Sequence, residues 1–135
     1  MRGYLMQQQN IVLGDDVFVE SLSPENNFGV VFESNEETGY FYAIEKDAET
    51  KGQRILDALH IFETEELADQ SREINIKIIW TKDWLKCALI LNDECHAVFD
   101  FEKQGGYNIN EFPPPNGFWT KQERKLTNKL IQELF

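Results

Sequence analysis

The stretch Ile74-Asn75-Ile76-Lys77-Ile78-Ile79-Trp80, continued by Lys82-Asp83, Leu85 to Leu91 and Cys95 to Phe101, decides the fold. In an extended chain alternate side chains share a face, so Ile74, Ile76, Ile78 and Trp80 form one apolar row with Asn75 and Lys77 opposite. With Lys82-Asp83 as a two-residue turn, Trp80 faces Leu85, Ile78 faces Cys87, Ile76 faces Leu89 and Ile74 faces Leu91. A three-residue loop through Asn92, Asp93 and Glu94 then keeps Cys95, Ala97, Phe99 and Phe101 on that face. A two-residue loop would send His96 and Asp100 there instead, so the apolar residues select the longer loop. That register sets Lys86 across from Asp100, and a three-stranded antiparallel meander is the expectation.

Towards the N-terminus, Ile11–Leu13, Asp16–Glu20, Phe28–Glu33 and Gly39–Glu45 are β-branched and aromatic runs bounded by turn residues, and each reads as a strand. Ser34 to Thr38 is a polar hairpin loop between the last two. Residues 1–9, with three successive Gln, read as a flexible N-terminus. Arg54 to Phe62 fits either strand or helix, with strand preferred, and the acidic stretch Glu63 to Glu73 has room for one short helix. Near the C-terminus, Phe112-Pro113-Pro114-Pro115-Asn116-Gly117 predicts a stiff extended connector. Thr120 and Glu123 match a capping box, and Leu126, Leu130, Ile131 and Leu134 recur at helical spacing, so residues 120–134 are expected to form the C-terminal helix, from about Lys121 to Glu133. No repeat or linker divides residues 1–135, which therefore read as one domain. The expected class is α+β: a mostly antiparallel meander sheet of about six to eight strands with a C-terminal helix packed on it.

Bulk properties narrow the function. The chain is 41% hydrophobic and 13% aromatic, too rich in core formers to be disordered. Its formal charge of −11 argues against nucleic acid and against an anionic membrane surface, both of which require basic side chains. The last sixteen residues hold four basic and two acidic side chains, leaving nine basic and 22 acidic in the first 119, a body charge of −13. Lys121, Arg124, Lys125 and Lys129 form a small basic group there, read chiefly as partners of the acidic body. No apolar window has transmembrane length and no signal-peptide core is present, so a cytoplasmic location is expected.

The candidate chemistry is sparse. Cys87 and Cys95 lack CxxC spacing and read as buried free thiols, and no metal or cofactor motif occurs, so none is expected. His60 and His96 are the chain's two histidines. His96 and Asp100 on one strand would lie about 13 Å apart, too far to share a metal or a proton. Asp57 and His60 point to opposite faces of a strand and to one face only of a helix. Tyr40, Tyr42, Asp57, His60 and His96 are the candidate ligand-binding residues, set against the plainer reading that each is a sheet residue bonded within the fold.

Thr38-Gly39-Tyr40-Phe41-Tyr42-Ala43, Ile55-Leu56-Asp57-Ala58-Leu59-His60-Ile61, His96-Ala97-Val98-Phe99-Asp100-Phe101 and Phe112-Pro113-Pro114-Pro115-Asn116 together resemble the bacterial domain-of-unknown-function family numbered 2251. The resemblance runs from about Val30 onward. It implies a bacterial source and a small stand-alone domain, with no activity to carry over to any residue. The body charge of −13 and the absence of catalytic motifs lead instead to the expectation of a non-enzymatic interaction or accessory protein, of the immunity-protein kind, binding a basic partner through acidic surface. The alternative is a small ligand-binding protein or hydrolase-like enzyme with a pocket lined by the five candidate residues.

Overall fold

The structure, a computed structural model, describes residues 1–68 and 72–135. The strands are β1 (Tyr4–Val12), β2 (Val17–Leu22), β3 (Phe28–Ser34), β4 (Thr38–Lys46), β5 (Gln53–Glu63), β6 (Glu73–Trp80), β7 (Lys86–Leu91), β8 (Glu94–Asp100) and β9 (Gly105–Asn108). Helix α1 (Thr64–Ala68) follows β5 and α2 (Asn128–Leu134) closes the chain. The remainder of the acidic stretch expected to hold a short helix, residues 69–71, lies outside the described residues.

The architecture is α+β and antiparallel, but its strands divide between two sheets, ordered β1-β6-β7-β8-β9 and β2-β3-β4-β5. Each meander presents one apolar face, and the two faces bury each other. Val30, Phe32, Phe41 and Leu59 from the smaller sheet meet Ile76, Ile78, Leu89 and Phe99 from the larger one in a single core. Phe41 stacks on Phe99 and Phe28 on Phe101 across that core, and Trp80 Nε1 donates to Ser21 Oγ at 2.9 Å. Two aligned layers of this kind satisfy the need of any half-apolar sheet to cover its inner face.

Several expectations change in detail. Residues 4–12 are not a loose tail: β1 pairs with β6 along its length, because the Ile74 and Ile76 edge needs backbone partners and Ile11 and Leu13 have a core to enter. The β6–β7 register is two residues longer than a two-residue turn allows, with Trp80 opposite Cys87 and Ile78 opposite Leu89. Asp83 accepts from the Thr81 hydroxyl and from the Leu85 amide, Thr81 Oγ1 accepts from the Lys86 amide, and Trp84 turns at φ 59° to lie near Trp80. A slip of two preserves every facing, which is why the core set survives it.

Between β7 and β8 the turn is the two-residue Asn92-Asp93, both at positive φ, and the extra residue sits in a bulge at His96. Lys86 still faces Asp100, as the residues required, although its ammonium reaches Glu102 at 3.1 Å and Asp83 at 3.4 Å. The correction falls on Cys95, which pairs with Ile90 on the outer face and packs with Ala88, Ile90 and Val98. Both thiols are free, and burial pushes each up, Cys95 to about 11.

The helix within 120–134 is shorter than expected. Residues Arg124 and Lys125 run extended beside β9, with Asn108 donating to the Arg124 carbonyl and bridging Lys125, and an extended chain there excludes a helix. Thr127, not Thr120, caps α2 by accepting from the Leu130 amide at 3.1 Å. Leu126, Leu134 and Phe135 then cover the outer face of the larger sheet over Ala88, Ile90 and Val98.

Candidate functional site

Strand β5 carries the chemistry of this molecule on both of its sides. Its bulges fall at Leu56 and Ile61, leaving Asp57 to His60 as regular strand between them, so Asp57 points inward and His60 outward.

On the inner side Asp57 is 4% exposed and Arg124 1%. The two form a bidentate pair, Arg124 Nη1 to Oδ2 at 2.7 Å and Nη2 to Oδ1 at 2.8 Å. Thr120 Oγ1 donates to Oδ2 at 2.5 Å, and the Ala58 amide donates to Oδ1 at 2.9 Å. The remaining guanidinium donors go to carbonyls, Nε to Pro113 at 2.6 Å and Nη1 also to Gly106 at 3.2 Å. Burying two charges is tolerated because each lone pair and N–H on both partners has a mate. Asn116 ties the same region down: its amide donates to the Leu56 carbonyl, and its Oδ1 accepts from Trp119 and Thr120. The triple proline segment is thereby a strap laid along β5 and fixed by Arg124. Asp57 is thus buried beneath this strap with its carboxylate bound to Arg124.

On the outer side Tyr40, Tyr42 and His60 converge. Tyr40 stacks on Tyr42 with ring centroids 6.0 Å apart and meets the His60 ring edge-on at 5.3 Å. Phe112 covers the imidazole from the other side at 5.8 Å. Asn110 Oδ1 accepts from the Phe112 amide and from Asn108 Nδ2, so its Nδ2 faces His60 Nδ1 and donates to it. This assigns the proton to Nε2, which donates to Glu63 Oε1 at 3.0 Å. Both ring nitrogens are occupied within the fold, leaving none open towards a substrate.

His96 stands apart, at the β8 bulge in the other sheet, with Glu94 Oε2 at 3.8 Å. Burial lowers its pKa, and Glu94 offsets that only in part. The five-residue site therefore separates into three parts: Tyr40, Tyr42 and His60 on one face, Asp57 through the sheet, and His96 on the second sheet. Among the described residues no group of three or more His, Cys, Asp or Glu side chains is placed to hold a metal ion, and no helix is long and apolar enough to cross a membrane.

What the candidate set missed lies beside Tyr42. Val31 and Ile44 floor a shallow depression of about 180 Å³ whose walls are Phe18, Glu33, Tyr42, Gln53 and Ile55. Phe18 is 63% and Ile55 57% exposed, an apolar surface on the outer face of the sheet. Burial raises the Tyr42 pKa, with the nearby Glu33 carboxylate and Tyr40 adding to it. The clue was the register: Phe18, Glu33, Tyr40 and His60 form one row, and Glu20, Val31, Tyr42 and Ala58 the next.

An antiparallel two-layer sandwich strapped by a proline segment, with one aromatic and acidic outer face, is the class of molecule that these features define. Residues 11–135 match the model of the family described as an uncharacterized protein conserved in bacteria, DUF2251, and the chain belongs to that family. It is 36% identical over 109 residues to an uncharacterized protein of Haemophilus influenzae, an alignment covering 79% of this chain and 65% of that relative, so the chain spans about 65% of the relative's length. No solved structure matches the chain.

Proposed function

We propose that this protein is a non-enzymatic interaction protein, an accessory or immunity-like factor, whose outer β2-β3-β4-β5 face receives an arginine-bearing segment of a basic partner protein. The observation that carries the reading is the depression beside Tyr42, where exposed Phe18 and Ile55 adjoin the carboxylate of Glu33. An arginine side chain is amphipathic in the same way, with an apolar stem and a planar cation. Its stem fills the floor over Val31 and Ile44, while the guanidinium stacks on the Tyr42 ring and meets Glu33, a cation–π contact of roughly 0.5–2 kcal/mol. Glu33 and Glu20 make no ion pair among the described residues, so both are available to a cation. The formal charge of −11 steers such a partner towards the protein.

The test is an amide-resolved NMR titration with a synthetic peptide of alternating Arg and Gly. Shifts centred on Phe18, Glu33 and Tyr42, weakened by salt and abolished in Phe18→Ser with the fold intact, are expected. Phe18→Ser should change stability by no more than about 0.5 kcal/mol, as for other exposed positions. Shifts spread evenly over the acidic surface, or unchanged in Phe18→Ser, would remove the site.

A further inference from the structure

We propose that the free edge of β1 pairs antiparallel with the same edge of a second copy of this chain, joining two five-stranded sheets across a two-fold axis. The molecule has four sheet edges, and three are occupied or guarded. The outer side of β9 receives Arg124 and Lys125. That of β5 receives the strap, with the His60 amide donating to the Phe112 carbonyl at 2.9 Å and Asn116 to the Leu56 carbonyl at 3.0 Å. Edge β2 is short, its Glu20 carbonyl accepts from Gln7 Nε2 at 3.3 Å, and Asp15, Asp16 and Glu20 repel a like copy.

Edge β1 is nine residues long, and among the described residues nothing pairs with its outer side. Which amides face outward follows from two observations. The Leu13 amide donates to the Arg72 carbonyl at 2.7 Å, so Leu13 and, by alternation, Ile11 and Gln9 turn towards β6. Asn75 exchanges bonds with Asn92 on its far side, so Asn10, opposite Asn75, turns away from β6. Gln8, Asn10 and Val12 thus present a row of outward N–H and C=O groups.

Natural edges are protected by charge, proline or a cover; β1 contains no charge and no proline, and among the described residues nothing covers it. Residues 1–13 contain Arg2 and no carboxylate, whereas residues 14–135 carry a net −12. Leu5 and Met6 add exposed apolar surface, 51% and 41%. A basic partner is drawn to the acidic body rather than to this neutral strand. A second copy brings one neutral edge to another and satisfies both rows of backbone groups, the self-complementary contact of a two-fold dimer. Because the two acidic bodies repel, salt strengthens this association, the opposite of its effect on an arginine-bearing partner.

The experiment is sedimentation velocity of the full chain over a wide concentration range at low and high salt, with amide hydrogen exchange at both ends of that range. The expected result is a monomer–dimer equilibrium strengthened by salt, in which Gln8, Asn10 and Val12 gain protection with concentration while Gln9 and Ile11 are protected throughout. Gln8→Pro removes an outward donor without touching the β1–β6 ladder, and Gln8→Lys brings one like charge from each copy onto the shared edge. Each should weaken dimerisation roughly tenfold or more, about 1.4 kcal/mol. A monomer at every concentration, or a dimer that keeps its affinity in the folded Gln8→Lys variant, would overturn the proposal.

Discussion

Asp57 and His60 are three residues apart on one strand, and the two sides of β5 they serve are built on opposite terms. Inside, Asp57 meets an arginine 67 residues away, and the guanidinium and carboxylate satisfy each other and four neighbouring groups. Outside, the Tyr40–Tyr42–His60 cluster lies beside exposed Phe18 and Ile55 and beside Glu33, which makes no ion pair among the described residues. The inner set is closed, whereas the outer face carries exposed side chains. The lesson is that the chemically suggestive residue, a buried aspartate close in sequence to a histidine, is locked into the scaffold, while the face proposed to meet a partner is a plain aliphatic and aromatic surface.

The strongest way to break this contrast is Arg124→Ala. It leaves the Asp57 carboxylate buried without its cation and should reduce stability in urea unfolding by about 3–5 kcal/mol. Replacing both partners, with Asp57→Leu and Arg124→Met, should restore part of that loss, because an apolar pair leaves no stranded charge. A double variant no more stable than Arg124→Ala would show that the strap depends on the ion pair itself.

A smaller effect is expected at Gly106. A Cβ there would meet Asp57 Oδ2 and Phe99 Cε1, each at 2.8 Å, in a region with no room to yield. Gly106→Ala should cost about 1–3 kcal/mol by overpacking, read from the same urea midpoint. An unchanged midpoint would mean that the inner network is looser than its bond lengths imply.

The smallest effect concerns His96. His96 has its pKa lowered by burial below its ordinary 6.5. As pH falls through 6.5 the unfolded ring takes up a proton before the folded one does, so the unfolded state binds more protons and stability declines. The loss stops once pH passes the folded value. His96→Gln should flatten the stability profile just below pH 6.5. A profile that keeps its slope in that variant would move the pH dependence elsewhere.

Much of the sandwich is legible in the residues. Strict alternation from Ile74 to Trp80 marks a strand, and the same parity places Leu89 in the core despite the longer β6–β7 turn, since an even slip conserves facing, while Ala97 and Phe99 keep their core places because the bulge at His96 restores the residue that the shorter β7–β8 turn removes. The alternation also placed Asp57 and His60 on opposite sides once β5 is a strand. Cys95 escaped this reasoning because a bulge at His96 absorbs the odd residue, a choice set by the positive-φ turn at Asn92-Asp93. The Thr120 and Glu123 capping-box pattern starts the C-terminal helix too early, because Thr120 is held by Asp57 and Arg124 by Asp57 and β9. The N-terminal Gln run looked flexible because no local pattern announces the β6 edge it completes.

By itself, then, the sequence determined the local order: which segments are extended, which side chains share a face, and how strongly acidic the surface is, since these depend on neighbours two to four residues away. Tertiary structure alone decided that the strands split into two sheets, that Arg124 locks Asp57, that β1 has no outer strand partner among the described residues, and that Phe18, Glu33, Tyr42 and Ile55 border one depression. Those outcomes rest on contacts between distant segments. Their energies depend on burial and on completing every polar group's bonds, neither of which is set until the layers have packed.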